Sequence, residues 1–112
     1  MTPTDFAGFI TRLPQADIPM AGVTAYLLAA PQGQAVFFKL PAGASVPPHS
    51  HGAQWGMVVQ GEILLTIDGV EKTYRKGDDY YIGSGVVHSG VIKTDSLVID
   101  VFADPGRYNA KA

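Results

Sequence analysis

Residues 43–61, GASVPPHSHGAQWGMVVQG, decide the fold of this 112-residue chain. They place His49 and His51 one residue apart, shortly before the apolar run WGMVVQ. Side chains at positions i and i+2 of an extended segment point to the same face, so both imidazoles can reach one ion. His88, the third histidine of the chain, follows a later group of glycines and is the natural third ligand. By itself this pattern predicts either a three-histidine metal site within β-structure or a histidine pair with a surface or structural role.

Short apolar segments separated by turn residues fill most of the remaining sequence. The predicted strands cover residues 24–30, 34–40, 55–60, 63–67, 80–82, 86–88 and 97–102. Between them stand Asp68-Gly69, a dipeptide favoured in tight hairpin turns, and prolines and glycines scattered along the chain. Pro47 and Pro48 predict a loop leading to His49. We expect about eight to ten strands in an all-β sandwich or barrel.

The N-terminal part is predicted to be an arm, residues 1–20, outside a barrel core at about 24–104 of a single domain spanning 1–112. A helical spacing is shown by Phe6, Phe9, Ile10 and Leu13. Because proline ends helices, Pro14 and Pro19 limit this helix to a turn or two. The alternative is an irregular or strand-like arm that packs its aromatic side chains on the barrel.

Composition excludes several classes of function. Eight Lys and Arg against ten Asp and Glu give a formal charge of −2 without a basic run, so we expect no nucleic-acid partner. The chain has no cysteine, so any metal must be bound by nitrogen and oxygen. No apolar run approaches about 18 residues, and the pattern of a signal peptide is missing. We therefore expect no membrane partner and a cytoplasmic location.

The histidines also lie within a regular spacing of glycines. The chain resembles the cupin superfamily in two motifs, Gly43-x5-His49-x-His51-x2-Gln54-x6-Gly61 and Gly77-x5-Gly83-x-Gly85-x2-His88. The 15 residues between Gly61 and Gly77 are similar to the short inter-motif region of small single-domain bacterial cupins. This resemblance covers roughly residues 37–102. It implies a double-stranded β-helix, a jelly-roll barrel forming one cupin domain, with a metal near one open end.

The resemblance also implies a set of metal ligands: His49, His51, Gln54 and His88. Gln54 stands where the family usually has a glutamate, and it follows after two intervening residues instead of three or four. A neutral amide ligand would leave the ion a stronger Lewis acid; alternatively, Gln54 only hydrogen-bonds near the metal. The cofactor would be one divalent transition metal ion, Fe, Mn, Ni, Zn or Cu. Gly83 and Ile92 replace the proline and asparagine usual in the second motif, without affecting His88.

Strand alternation predicts which side chains face the barrel interior. If Gln54 points inward, Gly56 and Val58 also point inward, and Gly56 is expected to leave room beside the metal. The outward side chains are then Trp55, Met57 and Val59. An exposed apolar row of this kind needs cover, which predicts a homodimer or, alternatively, coverage by the N-terminal arm.

Asp100 is a candidate functional residue because it interrupts an apolar strand. A buried carboxylate needs a partner, and a position behind the metal ligands or an acid–base role would explain it. Other side chains from several strands are candidates for lining the pocket: Phe38, Tyr80, Ile82 and Phe102.

Three functions stay open at this point. The first is a metal-dependent enzyme, an isomerase, lyase or dioxygenase, acting on a small oxygenated molecule. The short barrel with H-S-H…Q-x-G is similar to cupins associated with the breakdown of unsaturated uronate sugars, which favours a sugar acid. The second is a non-catalytic module that binds a small molecule or a metal. The third is a structural barrel with an incidental metal.

Overall fold

A computed structural model describes residues 5–112. In this range lie one short helix, α1 (Gly8–Thr11), and nine strands. The strands are β1 (Thr24–Ala30), β2 (Gly33–Leu40), β3 (Ser45–His49), β4 (Gln54–Gln60), β5 (Glu62–Ile67), β6 (Val70–Arg75), β7 (Asp79–Ile82), β8 (His88–Ile92) and β9 (Ser96–Phe102). No helix within residues 5–112 has the length and apolar character needed to cross a membrane.

The strands form two antiparallel sheets that pack face to face. One sheet has the order β1-β2-β9-β4-β7 and the other β3-β8-β5-β6. Val36, Val58 and Val98 of the first sheet are at most 1% exposed, and they meet Ile63 and Ile92 of the second sheet in the core. Alternating burial along β2 and β4 supplies these side chains because successive residues point to opposite faces. The all-β jelly-roll prediction is confirmed.

Two segments near the histidines differ from the predicted strands. The loop predicted before His49 is instead strand β3, which pairs with β8 at the edge of its sheet with a register shift between Val46 and His49. Prolines are tolerated there because an edge strand leaves one row of backbone N–H groups unpaired. The strand predicted to end at His88 instead begins there. Val86 closes a turn by donating its backbone N–H to Gly83.

The described part of the N-terminal arm combines both predicted alternatives. Its helical turn α1 is followed by isolated bridges that pair Gln15 with Tyr26 and Ala16 with Ala110. The Phe6 ring packs edge-on against Phe37, with 5.6 Å between the ring centroids. The arm therefore covers part of the outer face of the five-stranded sheet. Residues 1–4 of the predicted arm lie outside the described range.

A row of apolar side chains on the same outer face stays exposed. Strand register aligns Leu28 with Ala35, Ala35 with Val101, and Trp55 with both Val101 and Tyr81. The exposed fractions are 54% for Leu28, 38% for Trp55, 42% for Val101 and 67% for Tyr81. We call Leu28, Trp55, Tyr81 and Val101 the apolar row. The expected outward direction of Trp55 is thus observed.

Candidate metal centre

The fold brings the three histidines together. His49 ends β3 and faces His88, the first residue of β8, as its direct partner in the sheet. The loop after β3 supplies His51, whose carbonyl oxygen accepts the Gly85 N–H at 2.9 Å. Ring centroids are 4.2 Å apart for His49 and His88, and 4.8 Å apart for His51 and His88. One ligand atom from each histidine lies within 4.8 Å of the other two.

Backbone carbonyl groups set the tautomer of all three rings. Nδ1 of His49 lies 2.9 Å from the Pro47 oxygen, and Nδ1 of His88 lies 2.9 Å from the Val86 oxygen. Nδ1 of His51 lies 2.7 Å from the Gly52 oxygen. A carbonyl oxygen can only accept, so each Nδ1 carries the hydrogen and each neutral ring keeps its lone pair on Nε2. A hydrogen bond from the other ring nitrogen to a carbonyl oxygen is typical of metal-ligating histidine.

Two buried polar atoms in this region have no hydrogen-bond partner within the described chain. They are His88 Nε2 and Gln54 Oε1. A buried polar atom left without a partner costs about 1–3 kcal/mol. Both atoms offer a lone pair, since Nε2 is the unprotonated nitrogen and Oε1 is a carbonyl oxygen. The donor set of three imidazoles and an amide oxygen therefore fits a divalent transition metal ion.

The local environment keeps two of the imidazoles neutral. Burial lowers the pKa of His51, and the positive charges of Arg107 and the other two histidines lower it further against the effect of the Gly52 hydrogen bond. Burial also lowers the pKa of His88. The neutral ring is the form that binds a metal. The site is therefore prepared for an ion at neutral pH.

Asp100 lies directly behind Gln54. The Gln54 amide donates from Nε2 to Asp100 Oδ1 at 3.0 Å, and the Tyr80 hydroxyl donates to the same oxygen at 2.7 Å. An ionised carboxylate only accepts, so it holds the Gln54 amide with Oε1 turned away from Asp100. Burial raises the pKa of Asp100 to about 6, against the lowering effect of the two hydrogen bonds. The partner expected for this carboxylate is thus present.

The expectation that Gly56 leaves room beside the metal is wrong. A Cβ at Gly56 would overlap Asp100 Oδ1 and the ring and hydroxyl of Tyr80. The missing side chain therefore makes space for the pair of Asp100 and Tyr80. Gly56 faces Asp100 on β9 and Tyr80 on β7 as a direct strand partner on each side, which explains this close packing.

A cavity of about 430 Å³ opens beside the histidines. The walls include all four side chains expected from the sequence, Phe38, Tyr80, Ile82 and Phe102. Gln54 and Asp100 line the same cavity, and most of the remaining wall is apolar. Two elements outside the predicted barrel core also contribute, namely the arm with Pro19 and Met20 and the segment after β9 with Arg107 and Tyr108.

Sequence reasoning missed Arg107. The guanidinium carbon lies 4.4 Å from the ring centroid of Tyr108 and 5.5 Å from that of Phe102. Nε of Arg107 is buried and has no hydrogen-bond partner among residues 5–112. The segment after the last predicted strand has no motif that would have indicated this role. A cation on a mainly apolar cavity wall is suited to an anionic group of a ligand.

The fold and the histidine cluster together define a jelly-roll domain with a candidate metal centre. The family model for the cupin domain matches residues 36–102. The chain therefore belongs to the cupin family. A sequence comparison with curated proteins gave no significant match.

Solved structures agree with this membership. KdgF from Halomonas sp. is 31% identical with a TM-score of 0.74, and the match covers 82% of this chain and 86% of that one. An RmlC-like cupin from Shewanella frigidimarina is 29% identical with a TM-score of 0.78, over 96% of each chain. Salicylate 1,2-dioxygenase from Pseudoaminobacter salicylatoxidans shares the fold at 20% identity and a TM-score of 0.71, over 79% of this chain and 26% of that one.

Proposed function

We propose that His49, His51, His88 and Gln54 hold one divalent transition metal ion. Support comes from the unprotonated Nε2 atoms of the three rings and from the two buried lone pairs that have no partner among residues 5–112. Asp100 supports the fourth ligand because it holds the Gln54 amide by its nitrogen. The bound ion would act as a Lewis acid toward an oxygen of the substrate.

We further propose that the protein is a metal-dependent enzyme acting on a small oxygenated acid, such as a sugar acid. The observation that carries this proposal is the position of Asp100, a buried carboxylate in the wall of the same cavity as the histidines. Both hydrogen bonds to this carboxylate go to Oδ1, so Oδ2 is the oxygen that can take up and return a proton. Proton transfer favours isomerase or lyase chemistry over dioxygenase chemistry.

Other residues of the cavity would bind and orient the acid. Arg107 provides a positive charge for the carboxylate group of the substrate, and its contacts with Phe102 and Tyr108 hold the guanidinium at the wall. Apolar side chains such as Ile82 and Val98 exclude water from the reacting groups. A sugar acid also agrees with the similarity of the H-S-H…Q-x-G segment to cupins of unsaturated uronate breakdown.

Metal analysis and turnover assays test this function. Protein purified without a histidine tag is expected to contain about one metal ion per chain. It should convert unsaturated uronates, with the reaction followed by NMR, and it should lose this activity on treatment with a chelator. Reloading with the metal originally found should restore the rate. Metal-dependent uronate binding without turnover would support the alternative, a non-catalytic binding module, and absence of metal would indicate a structural barrel.

We propose that a second copy of the chain covers the apolar row, giving a homodimer. The part of the arm that the structure describes reaches Phe37 but leaves the row exposed. The row itself has no charged side chain, and the carboxylate beside it, Asp79, accepts the Trp55 indole N–H at 3.0 Å. Sedimentation analysis should show a dimer that Trp55→Glu converts to a monomer. Val70 is 68% exposed on the other sheet, so the control Val70→Glu should leave the dimer intact. A monomeric wild type would contradict the proposal. The cytoplasmic location stays a prediction.

A further inference from the structure

The segment after β9 forms part of the cavity wall and is fixed to the rest of the fold. We call residues 104–111 the tail segment; within it, Arg107 and Tyr108 line the cavity. The far end pairs with the N-terminal arm, since Asp17 N–H donates to Asn109 at 2.7 Å and Lys111 N–H donates to Gln15 at 2.8 Å. These bonds fix the far end of the tail segment. They do not hold the part that carries Arg107.

Gln34 holds this part of the tail segment. It lies near the start of β2, only 3% exposed, more than 70 residues before the segment it contacts. Nε2 donates to the Pro105 oxygen at 2.8 Å and to the Tyr108 oxygen at 2.8 Å. Oε1 accepts the Tyr108 N–H at 3.0 Å. Both amide hydrogens and the carbonyl oxygen of Gln34 are thus used on the backbone on either side of Arg107.

The contacts of Gln34 also determine the surface on which the guanidinium rests. Tyr108 packs its ring edge-on against Phe38 and Phe102, at centroid distances of 6.0 and 5.6 Å. Arg107 lies 4.4 Å from the centroid of this ring. A long, flexible side chain loses rotamer freedom when it is ordered, which costs free energy. If the Arg107 backbone and the Tyr108 ring are already fixed before the ligand binds, the entropy cost of ordering the guanidinium on binding is smaller.

We propose that Gln34 is a positioning residue that fixes Arg107 for binding of the anionic group of the ligand. Its side-chain hydrogen bonds go to Pro105 and Tyr108 and not to the proposed metal ligands or Asp100, so it acts through the tail segment. The proposal rests on the proposed function only in the role of Arg107 as the carboxylate site. The position of the tail segment itself can be measured without any substrate.

Gln34→Met tests the proposal because methionine has a similar length but cannot make the three hydrogen bonds. Hydrogen exchange of the backbone amides of residues 106–108 should accelerate at least tenfold. The KM for an unsaturated uronate should rise at least tenfold, with kcat changed less than threefold and metal content unchanged. In an Arg107→Ala background the same substitution should change KM less than twofold, because the group it positions is already gone. Gln32→Met, exposed two residues earlier, is the matched control and should behave like wild type.

Several results would overturn the proposal. One is faster hydrogen exchange in Gln34→Met with an unchanged KM. Another is that Gln34→Met raises KM equally in the wild type and in the Arg107→Ala background, which is the result that a merely structural role would give. If Gln34→Met does not fold, Gln34→Glu keeps an acceptor for Tyr108 and should raise KM, and a wild-type KM would then contradict the role. If the wild type neither binds nor converts uronates, the proposed function fails. Unchanged hydrogen exchange of the backbone amides of residues 106–108 in Gln34→Met would separately refute the positioning.

Discussion

Replacing His51 by alanine is expected to weaken metal binding at least about 100-fold and to abolish turnover. The His51 ring is one of three that share the site, and only three histidines occur in the chain, so no other imidazole can replace it. A ligand that binds only the folded state stabilises it. We therefore expect added metal to raise the melting temperature of the wild type but not of the variant.

Ser50→Ala is the matched control for this experiment. Ser50 lies between His49 and His51 and is exposed, so its substitution changes the same loop without removing a ligand. Metal content is measured by mass spectrometry on tag-free protein, and folding is checked by circular dichroism. A His51→Ala variant that folds and retains the metal content of the wild type would show that the ion is not bound by this cluster.

Asp100→Asn is expected to reduce turnover at least about 100-fold while making the metal-free protein more stable at neutral pH. Burial raises the pKa of Asp100 from 3.8 to about 6 in the folded state. Between these values the folded protein holds a proton that the unfolded chain has released, so wild-type stability falls as the pH rises. This shift corresponds to about 3 kcal/mol when the carboxylate is fully ionised. The asparagine side chain avoids that loss and can still accept the hydrogen bonds from Tyr80 and Gln54.

Denaturant unfolding of chelator-treated protein at pH 4 and pH 7.5 measures this difference. The stability of Asp100→Asn relative to wild type should increase between the two pH values by up to about 3 kcal/mol. Asp68→Asn is a suitable control for turnover, since this exposed hairpin residue has a φ of 51° that asparagine also tolerates. A relative stability that does not change with pH would show that Asp100 is not a buried carboxylate with a raised pKa.

Local patterns in the sequence were enough to predict the class of fold and the histidine cluster. Period-2 alternation predicted the buried face of β4, because successive side chains of a strand point to opposite faces. The spacing of histidines and glycines predicted the cluster of His49, His51 and His88, which the structure confirms. The loop predicted from Pro47 and Pro48 was wrong because the sequence does not show that β3 lies at a sheet edge, where prolines are tolerated.

The features of the site that only the tertiary structure decided depend on pairing between residues far apart in the sequence. The partner of Asp100, the space beside Gly56 and the part played by Arg107 follow from the register of β4, β7 and β9 and from the course of the tail segment. None of these has a local pattern, because strand register and long-range hydrogen bonds are set by packing across the whole barrel. The sequence by itself therefore determined an all-β domain with three clustered histidines. The arrangement of the acid, the cation and the cavity around them was decided by the tertiary structure, which brings residues more than 40 positions apart into contact.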